Sequence, residues 1–436
     1  MNPSAAAVSP VEGLKPQPFT GQAVIVDPYS SGAMLAPEFL ARGLRCIAVT
    51  STKVPIAVYA KSFVPGDFEK VIAFEGSLDA LVEELGRYSP RFVIPGTECG
   101  VELADQLAAR LCPHLANEPG LAQARRHKGH MGDAVARRNL PHARQLYTND
   151  LAQVEAWMER EGLEDAPLIL KPPKSAGTDS VSRVRGRAQL RATFQELLGR
   201  RNKLEQVNDT LLVQEFLVGD EYVVDTFSHH GVHTVTNICR YSKIHTDRHV
   251  AVYDHMDFLE FRPSEQESLV MYTFNVLDAL GIKFGPAHNE VMMTEDGPKL
   301  IESGARMHGA GHPRFARLCT GDSQLDRMVR FYSGQEGGVE INHRYRLNKS
   351  LRIVFLICRR SGVVRNAEIL GRIRELPSFH DAAIGVRTGD RVTETSDLFT
   401  SLGFVALLHE SGEVVLRDYL AVKELEQQLE IEPLPD

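Results

Sequence analysis

No Cys-x-x-Cys pair occurs in this chain of 436 residues, whose six cysteines (Cys46, Cys99, Cys112, Cys239, Cys319 and Cys358) are scattered along its length. That spacing argues against a structural zinc site or a disulfide framework and leaves reduced thiols as the expectation. The histidines add no metal signature. His308 and His312 are four apart with glycines between them, and His229, His230, His233, His245 and His249 have no accompanying ligand cluster. Nor does any apolar run approach the roughly 18 residues of a membrane span. The opening residues, MNPSAAAVSPVEGLKPQP, do not follow the basic-then-apolar order of a secretory signal. Residues 1–20 are expected to form a flexible arm outside the fold, and the protein to be cytoplasmic. An excess of basic residues is missing too. The formal net charge of -8 disfavours nucleic acid as a partner, although RRHK at Arg125 to Lys128 is a local basic patch able to receive a small anion. With 43% hydrophobic and 24% charged residues, the chain reads as an ordinary globular protein with more than one core.

From Gln22 onward, short β-branched runs (AVIVDPYSSG, RCIAVTS, KVIAFEG, RFVIPGTECG) alternate with helical stretches such as MLAPEFLARG and LDALVEELGRY. This predicts a parallel sheet covered on both faces, with ligands gathering at strand C-termini. Tyr29 to Gly32 and Thr97 to Gly100 sit at such ends, where plain turn chemistry explains them equally well. Glu98 can receive a substrate ammonium there, or simply charge a helix N-terminus. A second α/β unit carries PLILKPPKSAGTDSVSRV, a long helix from about Leu190, and LLVQEFLVGDEYVVDTF. A tail from about Glu340 reads as strands and turns (SLRIVFLICRR, GVVRNAEILG, AAIGVRTGDRV, GFVALLHESGEVVLRDY), closed by a charged helix at Leu420 to Gln428.

Residues 288–311 carry the sharpest chemical signal. They read as a hairpin in which alternation places His288, Glu290 and Met292 on one face, Asp296-Gly297 turns the chain, and Leu300, Glu302, Gly304 and Arg306 share a face of the return strand. Two carboxylates and an arginine then converge. Magnesium takes one or two carboxylates together with substrate phosphates, and an arginine nearby can hold a transferring phosphoryl group. Taken alone, the same residues describe a solvent-facing hairpin just as well. His288, on the Glu290 face, is expected to border a substrate pocket as a neutral imidazole, or else to be a satisfied core histidine. Upstream, Lys171 ends a buried strand, and the small residues after it can form an amide-rich loop over phosphates or a surface turn. Exposed backbone after Val213 to Leu217 can pair with an adenine edge, and Glu221 can accept ribose hydroxyls, unless the segment is an ordinary bend. Lys243 reads as a nucleotide or substrate contact or as a solvated lysine.

Taken together and in this order, these segments resemble the ATP-grasp superfamily over nearly the whole chain after the arm. VDPYSSG, IPGTECGVELAD, GVVRNAEIL, ELPSF and GFVALLHES are similar to L-amino acid ligases within it. The resemblance implies an α/β protein with the ATP-grasp fold: an N-terminal doubly wound parallel-sheet domain (21–118), a central α+β nucleotide-binding domain (119–335, with a smaller lid subdomain at about 145–217) and a C-terminal α+β lid-like domain (336–436). It implies that Lys128 and Lys171 contact ATP phosphates, and that Lys174, Ser175, Ala176, Gly177 and Thr178 belong to a mobile phosphate-covering loop running to Val181. Glu215, Phe216 and Leu217 become the adenine hinge, and Glu221 the ribose acceptor. Glu290 and Glu302 bind Mg²⁺, with Mn²⁺ as an alternative ion, and Arg306 stabilises phosphoryl transfer. The acid and amine would meet around Tyr29, Glu98, His288, Arg306, Gly309 and Ala310. The implied reaction joins two amino acids through an acylphosphate, releasing ADP and phosphate. The alternatives are an amide synthetase taking a non-amino-acid carboxylate and a nucleotide-binding regulator without turnover. Expected partners are small amino or carboxylic acids, with no nucleic acid or membrane, and a homodimer is left open. One departure stands out: Gly304 replaces an asparagine that commonly serves the metal.

Overall fold

A computed structural model describes residues 22–244, 252–334 and 345–434. The N-terminal arm, His245, His249 and the expected boundary near residue 335 lie outside the described residues. Strands β1 (Gln22–Val26), β2 (Arg45–Thr50), β3 (Lys70–Ala73) and β4 (Pro90–Pro95) form a parallel sheet in the order β3-β2-β1-β4. Its faces are covered by different helices, which is why β1 is apolar from Ala23 to Val26. Ala23 and Ile25 pack toward α1 (Leu35–Leu40), whereas Val24 and Val26 pack toward α2 (Leu78–Gly86) and α3 (Val101–Leu111). Helix α4 (Lys128–Arg137) then leads to a smaller antiparallel sheet of β5 (Gln145–Thr148), β6 (Pro167–Lys171), β7 (Ser182–Arg185) and β8 (Leu211–Glu215), ordered β5-β8-β6-β7. Helices α5 (Leu151–Glu161) and α6 (Gly186–Leu197) back this sheet through Trp157, Leu190 and Phe194. The helix expected from about Leu190 thus begins one turn earlier, at Gly186.

The largest sheet has eight strands, joining β9 (Asp220–His229), β10 (Val232–Ile244), β11 (Val252–Leu259), β12 (Gly285–Thr294) and β13 (Gly297–Gly304) to three strands of the tail. Helix α7 (Pro263–Ala279) packs beneath it, while α8 (His312–Thr320) and α9 (Gln324–Tyr332) follow the hairpin. The tail comprises β14 (Ser350–Leu356), β15 (Gly362–Val364), β16 (Phe379–Ile384), β17 (Arg391–Val392), β18 (Gly403–His409), α10 (Gly412–Gln427) and β19 (Ile431–Glu432). The strand order β13-β12-β9-β10-β11-β14-β18-β16 makes one floor from the hairpin to the tail. Two tail segments expected as strand or turn are helical. Residues 412–419 belong to α10, where Val415, Val422 and Leu425 recur at helical spacing and pack on the tail core, so the β-branched Val414-Val415 misled the reading. Ala367–Glu375 forms a 3₁₀ helix. No described helix is long and apolar enough to cross a membrane.

Candidate active site

The hairpin β12–β13 departs from simple alternation at one position. Glu290 pairs with Glu302, but Val291 pairs with Leu300, so Ile301 is an extra residue, a β-bulge. Leu300 consequently turns into the core with Val291, correcting the expectation that it shares a face with Glu302. Ile301 and Glu302, although consecutive, both face the same cavity of about 680 Å³. This cavity lies over the large sheet and is walled by the smaller sheet, the β1 and β4 turns and the tail, and its size suits a small-molecule site.

Cationic groups converge on the two carboxylates. Lys128 opens α4, where the His127 side chain accepts the His130 N–H, and burial holds this imidazole neutral with a pKa lowered to about 4. The Lys128 Nζ donates to the Ser175 carbonyl at 2.8 Å and lies 3.1 Å from Glu302 Oε1. Lys171, at the end of β6, donates to Gln214 Oε1 at 3.1 Å. Burial, followed by the nearby Lys128, lowers its pKa to about 8. Burial opposes the charge on Glu290, but the His288 hydrogen bond and positive charge outweigh it and hold the carboxyl at about 2. His288 sits between Asp225 Oδ1 (3.0 Å) and Glu290 Oε1 (3.3 Å), which raise its pKa to about 9 against the cost of burial. It is an imidazolium braced by two carboxylates, not the neutral imidazole expected from the sequence. Both glutamates offer hard oxygen donors from facing strand positions, a set that fits a magnesium ion.

Arg306 reaches the cavity from just beyond β13. Its Nε donates to Glu98 Oε2 at 2.8 Å and its Nη1 to the Met307 carbonyl at 3.0 Å, leaving Nη2 without a protein acceptor among the described residues. Glu98 is 3% exposed, and its other oxygen lies 3.3 Å from Arg126 Nη1. Burial opposes its ionisation, yet Arg306 and Arg126 keep its pKa below the ordinary value. This pair also accounts for Gly304. A Cβ there would lie 3.0 Å from Glu98 Oε2 and 3.2 Å from Arg306 Cζ, so the ion pair fills the space that a side chain would need. The basic patch divides by role. Arg125 is fully buried on Asp105 and two carbonyls, Arg126 backs Glu98, and Lys128 alone of its cations lines the cavity.

Ser175, Ala176, Gly177 and Thr178 also line the cavity, with the Ser175 carbonyl on Lys128. Gly177 has φ +65°, and a Cβ on it would sit 2.8 Å from the Phe399 ring of the tail. Thr178 and Ser180 also adopt left-handed backbone, which costs a residue with a Cβ roughly 1–2 kcal/mol. The loop is pinned at Asp179, whose Oδ2 accepts the Lys203 N–H at 2.6 Å. Phe216 and Leu217 lie at the end of β8 beside Ile169, Met292 and Ile301, and Glu215 is held by Arg144 at 2.8 Å. Glu221 also lines the cavity, but both its oxygens accept from Lys243 at 2.6 and 2.7 Å. Gly309 and Ala310 complete the wall, and the Ala310 N–H donates to Ser30 Oγ at 2.8 Å.

Two expected residues stand off the cavity wall. Lys174 turns away to Glu102 at 2.9 Å, and Tyr29 is fully buried behind Tyr59, which lines the cavity in its place. Sequence reasoning also missed Asp225, Gln214, Tyr241 and the tail residues Ile353, Phe355, Leu398, Phe399 and Phe404. It discounted His308 and His312, yet one donor atom of each and one of Asp225 lie within 4.8 Å of one another. Asp225 Oδ2 already meets His308 Nδ1 at 3.0 Å and Asn237 Nδ2 at 2.9 Å, and the two imidazoles stack at 3.7 Å, an arrangement of mutually satisfied polar groups.

Comparison with known proteins bears on this geometry. The model of the ATP-grasp domain family matches residues 164–314. Dapdiamide A synthase of Enterobacter agglomerans is 28% identical over 412 residues, covering 92% of this chain and 95% of that protein. The crystal structure of L-amino acid ligase from Bacillus licheniformis superposes with a TM-score of 0.71 at 18% identity, covering 95% of this chain and 99% of that one. N5-carboxyaminoimidazole synthetase from Staphylococcus aureus, complexed with ADP, gives 0.64 at 13% identity, covering 94% and 99%.

Proposed function

We propose, from the premise that this chain carries an ATP-grasp domain within an ATP-grasp fold, that it is an ATP-dependent ligase joining a carboxylic acid to an amine. The observation that supports this most is the convergence on one cavity of Glu290, Glu302, Lys128, Lys171 and Arg306. A nucleotide-binding regulator would need the lysines but not an arginine pre-set by Glu98 with one donor to spare. In this reading Lys128 and Lys171 hold phosphate oxygens, the loop at Ser175 to Thr178 covers them, and the end of β8 receives the adenine. Glu290 and Glu302 hold Mg²⁺ or Mn²⁺, which when bound screens the negative charge between phosphate groups. A carboxylate oxygen of the acid attacks the terminal phosphorus, the bond to ADP breaks, and Arg306 meets the charge developing on the transferring group. The amine nitrogen, as its free base, then attacks the acyl carbon and phosphate departs with the carbon–oxygen bond. Glu98 acts in this scheme chiefly through Arg306, because its oxygens face two guanidinium groups; a substrate ammonium would compete with them.

The finer form of the proposal is a dipeptide-forming ligase taking two amino acids. The alternative form is an amide synthetase in which one partner is a carboxylic acid other than an amino acid, and likeness to dapdiamide A synthase over nearly its whole length supports the amide-forming chemistry that the two forms share. Incubation with ATP, magnesium and a matrix of acids and amines tests both. Release of ADP and phosphate that depends on both partners supports the ligase, and product mass separates its two forms. AMP and pyrophosphate as main products would remove the acylphosphate mechanism.

A further inference from the structure

The cavity extends well past the groups assigned to ATP. The hairpin carboxylates stand on β12 and β13, whereas β14 lies four strands past β12 along the same twisted sheet and lines the same cavity. Across those strands the floor becomes hydrocarbon. Tyr241 pairs with Met256, Met256 with Ile353, and Phe355 with Phe404, and all five line the cavity while Phe315 faces it from α8. Phe355 and Phe404 remain only half-buried, so they border open space and are not merged into the core.

Two polar groups at this end are already engaged. The Tyr241 hydroxyl lies 3.4 Å from His308 Nε2, and Lys243 is committed to Glu221 while its Nζ sits 4.4 Å from the Tyr253 ring centroid. A polar side chain entering the chamber would lose water without gaining a partner, whereas an apolar one would exchange water for hydrocarbon contact. We infer that one of the two joined substrates carries a large apolar side chain, of the leucine, methionine or phenylalanine class, seated against Met256, Ile353, Phe355 and Phe404. The inference rests on the ligase reading and adds the substrate class. It also gives the tail a direct part in specificity, since three of these four residues belong to β14 and β18.

Size-matched pairs test it on the intact protein. Leucine against asparagine and methionine against glutamine are each offered as acid and as amine, with phosphate release and product mass as readouts. The apolar member of each pair is expected to have a kcat/KM higher by on the order of 10- to 200-fold in one of the two positions, the discrimination that hydrophobic pockets reach. Phe404→Ala, or the milder Phe355→Leu if the first variant does not fold, is expected to move preference in that position toward phenylalanine and tryptophan while leaving the other position unchanged. Phosphate release that is equal or faster with asparagine and glutamine in both positions would overturn the apolar chamber and leave the ligase reading standing. No phosphate release with any acid and amine would overturn both.

Discussion

Replacing Arg306 by alanine separates catalysis from architecture, because its guanidinium serves both. One side is structural: Nε to Glu98 at 2.8 Å and Nη1 to the Met307 carbonyl at 3.0 Å. The other is Nη2, the donor left for a transferring phosphoryl group. Loss of one pre-organised donor lowers turnover by about 10²–10³, equivalent to roughly 2.7–4 kcal/mol of transition-state stabilisation. Removing one partner of a buried ion pair costs about 3–5 kcal/mol of stability when the other is stranded. Here Arg126 remains 3.3 Å from Glu98, so the loss should fall toward or below the low end of that range. Arg306→Ala should therefore remain folded, turn over about 10²–10³ more slowly at saturating substrates, and bind ATP nearly as wild type by calorimetry. Adding Glu98→Gln should lower stability further, measured by thermal unfolding, because it strands the buried Arg126 that still faces Glu98 in the single variant, and should not recover turnover. A folded Arg306→Ala protein with near-normal phosphate release would refute the assigned role, and a parallel fall in ATP affinity would make Arg306 a nucleotide-binding group instead.

Hydrogen exchange at Lys174 to Val181 should slow when a non-hydrolysable ATP analogue binds, since left-handed Gly177, Thr178 and Ser180 leave the loop few internal hydrogen bonds; equal protection in both states would count against a phosphate cover. His288→Ala should alter relative rates across a panel of amino acids, because His288 lines the cavity, and should destabilise the protein by less than the roughly 3 kcal/mol of a stranded buried charge, because His308 and Asn237 still meet Asp225; an unchanged denaturation midpoint would show that Asp225 does not depend on the imidazolium. The junction of β11 with the tail should be pH-sensitive. Despite burial, the pKa of His255 is raised by Asp254 and Asp257, and those of the aspartates are lowered, with Lys423, Tyr419 and Arg352 facing the same cluster. The His255 contribution is complete below its unfolded pKa of about 6.5 and is lost as pH rises through the raised value, whereas the aspartates contribute above about 3.9 and lose that contribution as pH falls through the lowered values. The gap in thermal midpoint between wild type and His255→Gln should thus be widest between about pH 4 and 6.5 and close at alkaline pH; a gap independent of pH would refute this coupling.

The features legible in the sequence are those written in short-range periodicity and order. Lys171, the small-residue loop, the end of β8, the two glutamates and Arg306 follow one another along the chain, and the fold brings all of them except Lys174, Asp179 and Ser180 of the loop to the cavity wall. What escaped was set by partners far apart. Asp225 sits in the buried stretch of β9, and its importance comes from His288 and His308, 63 and 83 residues away. The Ile301 bulge has no marker in a two-residue period, because one inserted residue is visible only once Glu290 is seen opposite Glu302 and Val291 opposite Leu300.

Gly304 shows why such long-range constraints can imitate a missing function. Read along the chain, it is the absence of a metal-binding asparagine. In space it is the clearance that lets Arg306 and Glu98 meet, since a Cβ would crowd both. Glu98 comes from the end of β4, 206 positions earlier in the chain, so the glycine and the glutamate make sense only as a pair. The proposed metal site of two carboxylates and the positioning of a guanidinium by a third then rest on the same packing: β13 brings Glu302 to the cavity and, two residues later, yields its side-chain space to the Glu98–Arg306 pair. A Gly304→Asn substitution would therefore not simply add a metal ligand. It would push Arg306 off Glu98, exchanging the arginine to which the proposed mechanism assigns the developing charge for one added oxygen donor.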